Sequence, residues 1–99
     1  MVFMKRVFFV SNENKSRAEL ALKSDDEISR GSITVKSAAS LGIEKDGYFI
    51  IIDAGEHAIK KAEELLKGVA EKYSKPGEVL DRVEEQENNA IEGFGNILG

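Results

Sequence analysis

Three side chains in this sequence are placed to do chemistry together: Asp53, Glu56 and His57, the last being the only histidine. They fall where an apolar run, YFIII, gives way to a helix-forming one, HAIKKAEELL. A carboxylate at the C-terminal end of a strand faces the first turn of the following helix, and in open α/β layers ligands bind along that edge. A carboxylate beside an imidazole there supplies an acid/base pair, or ligands for a divalent cation. The same residues also have ordinary structural work. Asp53 is suited to capping free helix N–H groups, and Glu56 suits the positive end of the helix dipole. No His-x-x-x-His or Asp-x-Asp spacing accompanies them. Capping is therefore the expected role, and no metal or other cofactor is expected.

Other motifs carry less. The acidic run Asp25-Asp26-Glu27 lacks the alternating ligands of a calcium loop and reads as a solvated tip. Gly93, Gly95 and Gly99 are wrongly spaced for a dinucleotide fingerprint. Ser32, Ser37 and Ser40 sit in no Gly-x-Ser-x-Gly elbow. With no cysteine, disulfides, thiolate metal sites and cysteine nucleophiles are excluded. The remaining candidates are apolar. Phe94, Ile97 and Leu98 lie among glycines near the chain end. Burying each large apolar side chain is worth roughly 1.5–3 kcal/mol. Three outcomes are open for this tail: docking on its own domain, packing in a subunit interface, or disorder; the second makes these residues interface candidates and a homodimer a possible assembly.

The balance of 14 basic against 18 acidic residues gives a net charge of −4. A net acidic chain lacks the broad positive field that drives phosphate-backbone binding, which argues against a nucleic-acid partner. The longest uninterrupted apolar run, 48–52, is far short of the ~20 residues that span a bilayer. The first residues read as a strand rather than a signal peptide, so no membrane partner and a cytoplasmic location are expected. Abundant Lys and Glu, with no Trp or Cys, give a thermophile-like composition.

The elements that must position these residues centre on 47–73. A strand is expected over 48–53, apolar on both faces and so central in its sheet. A long amphipathic helix should follow from about Gly55, with Ala58, Ala62, Leu65, Val69 and Tyr73 as its stripe and Gly68 inside it. Upstream, FMKRVFFV over 3–10 is aromatic and β-branched and reads as a strand. Residues 17–24 are ambiguous. Ala18, Leu20 and Leu22 alternate with polar residues, favouring a strand, although Ala, Leu, Glu and Lys are helix formers. Residues 24–31 read as a loop or a single helical turn. Residues 33–41 fit a short helix closed by Gly42 in the left-handed region, with a strand over 32–36 as the competing reading. Pro76 suits the first turn of a last helix, whose polar second half, 84–89, is exposed or broken.

The stretch YFIIIDAGEHAIKKAEELLKG resembles the closing strand and helix of KH-type RNA-binding modules and, equally, of ferredoxin-like ones. The likeness covers about a quarter of the chain, and the KH G-x-x-G loop is missing upstream. What it implies is an α+β layer. The expectation is thus one domain over 1–99, a two-layer α+β fold with a small, mainly antiparallel sheet of about three strands under two or three helices. The expected function is a non-catalytic binding or protein-interaction module. A small enzyme or metal-dependent protein using Asp53, Glu56 and His57 is the alternative, and an RNA-binding module the third reading.

Overall fold

The computed structural model describes residues 3–86. Phe3–Val10 forms β1; two helices follow, α1 at Lys15–Lys23 and the single turn α2 at Asp26–Ser29. Ser32–Ser37 forms β2, a 3₁₀ turn covers Ala39–Leu41, and Tyr48–Gly55 forms β3. Helix α3 spans Glu56–Leu65, β4 is the two residues Glu71–Lys72, and a last helix, α4, begins at residue 76. The chain is α+β, and among the described residues its antiparallel sheet has four strands, in the order β2-β3-β1-β4.

Since β3 lies antiparallel between β1 and β2, those two outer neighbours run parallel and are joined by a crossover through α1 and α2. The second crossover, β3-α3-β4, spans β1 in the same way. Two interleaved βαβ units of this kind are the split plan of ferredoxin-like domains.

Both faces of the sheet carry a core. Phe8, Val10, Ile50, Ile52 and Ala54 point to one side, where Ala18 and Leu22 of α1, Ile28 of α2, and Ala58, Ile59 and Ala62 of α3 cover them with Leu66. The alanines let the helices approach closely. Val7, Phe49 and Ile51 point to the other side, under Ala38, Leu41, Ile43 and Val79. Phe49 is fully buried, held edge-on by Phe9 and Tyr73 at centroid distances of 5.4 and 4.8 Å. Helix α4 lies over this second face through Val79, Leu80 and Val83, and Gln86 donates a hydrogen bond to the Ser40 carbonyl. A strand flanked by strands and apolar on both sides needs this double cover.

Three expectations about elements change. Residues 17–24 are helical, not a strand: the buried pair is Ala18 and Leu22, four residues apart, whereas Leu20 is 70% exposed. The helix-forming composition prevailed because α1 gains tertiary support from the sheet. Over 33–41 the competing strand is the correct reading up to Ser37, as the β-branched Ile33, Thr34 and Val35 pair with β3. The closing turn and Gly42, at φ +73°, are where they were expected. Finally, α3 stops at Leu65 rather than running to Tyr73. Gly68 has φ +77°, the left-handed conformation that ends helices, and the N–H groups of Val69 and Ala70 turn back to the Leu66 carbonyl. The apolar period continues past this point because Val69 and Ala70 still pack on the helical core and Tyr73 on the opposite one.

Urea denaturation distinguishes the helical register of α1 from the alternating one. Leu22→Ala should lower stability by about 2–5 kcal/mol, whereas Leu20→Lys should change it by no more than about 0.5 kcal/mol. Equal losses at both positions would contradict the helix.

Candidate functional site

Asp53, Glu56 and His57 do not converge. Strand alternation settles Asp53: Ile52 and Ala54 face the helical core and Ile51 faces the other, so Asp53 points to the α4 side. It sits beside Lys5 of β1 and Ser32 of β2 in the sheet register. It caps nothing on α3, whose N-cap is Gly55 and has no side-chain cap bond. Glu56 occupies the first turn, where its charge suits the dipole, and pairs with Lys60 at 3.5 Å. His57 lies across the sheet from Asp53, on the helical side.

His57 does have a partner, supplied by the acidic run upstream. Its Nδ1 stands 2.6 Å from Glu27 Oε2, and Lys61, one turn further along α3, lies 3.4 Å from both Glu27 and Asp25. An ionised carboxylate only accepts, so Nδ1 carries the shared proton. Asp25 is the N-cap of α2, its Oδ1 accepting from the N–H groups of Glu27 at 2.9 Å and Ile28 at 3.1 Å. The run expected to be a solvated tip is therefore a cap and a clasp between α2 and α3. Electrostatics follow the geometry. The His57 hydrogen bond, with help from Lys61, holds the Glu27 carboxyl below its ordinary value against a smaller opposing effect of desolvation. The Ile28 N–H does most to lower Asp25, and Glu27 most to raise Lys61. The His57 side chain is 76% exposed, so salt and water screen the clasp. Among the described residues, no group of three or more His, Asp and Glu side chains is placed to hold a metal ion.

Asp53 belongs instead to a groove of about 450 Å³ between the sheet and α4. Lys5, Ser32, Thr34, Asp53 and Glu84 give it polar walls, and Ile51, Leu80 and Val83 an apolar floor and side. The strand β2 that forms one wall is the outermost of the sheet, and residues 33–37 are all half-buried. Among the described residues, no strand lies beside its outer row of backbone donors and acceptors. Only the alternation Ser-Ile-Thr-Val-Lys-Ser within 32–37 hinted at this edge in the sequence. The groove gave no such hint, because its residues come from four separate segments. The apolar candidates Phe94, Ile97 and Leu98 lie outside the described residues. No helix among the described residues is long and apolar enough to cross a membrane. No known family model matches the chain, nor does any curated protein or solved structure.

Two measurements test this geometry. A carboxyl with a depressed folded-state pKa contributes stability that is full above its unfolded pKa and lost as pH falls through the folded one. The thermal midpoint of the wild type should therefore exceed that of Glu27→Gln near neutrality, and the gap should close as pH drops from about 5 to 3. Parallel curves would count against the clasp. Because Asp53 and His57 occupy opposite faces, the stability effects of Asp53→Asn and His57→Ala should add to within about 0.5 kcal/mol; a larger coupling would show that the two communicate.

Proposed function

We propose that this domain is a non-catalytic protein-interaction module that works as a homodimer. The observation that carries this reading is the outer edge of β2, which no other strand among the described residues covers; β2 is a six-residue strand with half-buried apolar side chains. Such an edge is a template for pairing with another chain unless the fold blunts it. The opposite edge is blunted: β4 is two exposed residues long, and Pro76 follows shortly after. β2 contains no proline, and its only charged residue is Lys36.

The enzyme reading has lost the constellation that motivated it, since Asp53 and His57 serve different faces. An RNA-binding reading needs an open aromatic platform on the sheet. Here Phe49 is buried between Phe9 and Tyr73, Lys45 stands 4.5 Å over the Phe9 ring, and α4 lies over the same face.

Light scattering on a sizing column, with a native mass spectrum alongside, tests the assembly. The protein should run as a dimer at high concentration and release monomer on dilution. A monomer at the highest attainable concentration would end the homodimer reading.

A further inference from the structure

From the geometry of β2 we infer that the dimer forms by antiparallel pairing of β2 with the β2 of a second copy, about a two-fold axis at Thr34, joining the two sheets edge to edge. This rests on the homodimer reading above and adds its surface, register and charge pairing.

The register follows from the alternation. Ile33 and Val35 lean toward the helical core, while Ser32, Thr34 and Lys36 face the α4 side. In an antiparallel pair, directly opposite residues share a face, and a two-fold axis normal to the sheet keeps the two faces distinct. The axis must therefore pass through a residue, not between two. Centred on Thr34, it sets Ile33 against the partner's Val35 and Val35 against the partner's Ile33. Two half-buried apolar pairs are then covered, and the helical cores become continuous across the junction. Centred one residue later, on Val35, it would set Ile33 against Ser37 at both ends and leave a single apolar pair, Val35 against Val35, in place of two.

The Thr34 register also places charge. It brings the partner's Lys36 opposite Ser32, and Ser32 is paired in turn with Asp53 of β3. From the partner's Lys36 to Asp53 is then two strand spacings, roughly 10 Å between Cα atoms. An extended lysine reaching over the small serine closes that distance. Among the described residues neither Asp53 nor Lys36 has an ion-pair partner. The groove that would receive the ammonium is walled by two carboxylates, Asp53 and Glu84, against the single cation Lys5. A second copy is thus the occupant whose apolar pattern and charge both match. A junction of one short strand per subunit lies at the small, transient end of protein interfaces, so the dimer should dissociate on dilution.

The decisive experiment uses Thr34 variants in the full chain. At the two-fold position each side chain meets its own copy, so Thr34→Lys and Thr34→Glu each place like charges opposite one another. Each variant alone should dimerise at least about tenfold more weakly than the wild type. Their equimolar mixture should recover a heterodimer in the native mass spectrum. The circular dichroism melt of each variant confirms folding at this half-exposed position. Asp53→Lys should also weaken the dimer, and Lys36→Asp in the same chain should restore it. A dimer indifferent to both Thr34 variants would overturn the β2 junction while leaving the homodimer itself standing. A wild-type monomer at every concentration would overturn both. Slow exchange of the outward β2 amides in a monomeric sample would likewise overturn the junction, by giving the edge to another segment of the same chain.

Discussion

The structure depends on hiding both faces of β3. Four consecutive side chains from Phe49 to Ile52 are buried and alternate between the two sides, and Ala54 beyond Asp53 is buried as well. Leaving either set in water would forfeit roughly 1.5–3 kcal/mol for each large side chain. One face is met by α1, α2 and α3. The other has no long helix of its own within the two crossovers, so the 38–47 segment and α4 return to cover it. The hydrogen bond from Ala38 N–H to the Gly47 carbonyl, at 2.9 Å, closes the base of that segment beneath β2 and β3.

That demand for double cover also decides where polar groups go. No polar or charged side chain is buried among the described residues. Carboxylates and lysines are pushed to the rims: to the α2–α3 clasp on one side, and to the groove beside α4 on the other. Asp53 near the end of β3 and Glu56 and His57 at the start of α3 sit within a few residues in the chain, yet the sheet runs between the first and the last of them. Nearness in sequence became separation in space because a strand sends successive side chains to opposite faces.

The same layering leaves the sheet with two unequal ends. On the β4 side the chain is extended for only two residues before it turns toward α4. On the β2 side it remains extended for six and is covered at its faces, with no described strand along its outer backbone. Sheets that stop without closing must manage their edges by charge, shortness or pairing. Shortness serves one edge here, and the other is the one proposed above to pair with a second copy.

Much of this was legible in the residues. The β1 and β3 strands announce themselves by aromatic and β-branched runs, α3 by the Ala58 and Ala62 of its stripe, and the turns at Gly42 and Pro76 by residue types that few other conformations favour; the expected stripe member Leu65 is instead 41% exposed, and Leu66 is buried in its place. The α+β class follows from these alone. Residues 17–24 and 33–37 were not settled locally, because short segments satisfy both periods and only packing against β3 and α3 chooses between them. The end of α3 was obscured for a related reason: Val69, Ala70 and Tyr73 keep the apolar period by packing in two different cores after the helix has stopped. The site was the least legible part. The sequence by itself fixed which residues had to be buried and which could carry charge, since those are properties of single side chains and short repeats. Which charges meet is a property of layers. Only the tertiary structure, by placing β3 between β1 and β2 and folding α2 onto α3, could give His57 to Glu27 and set Asp53 between Lys5 and Ser32 on the opposite face.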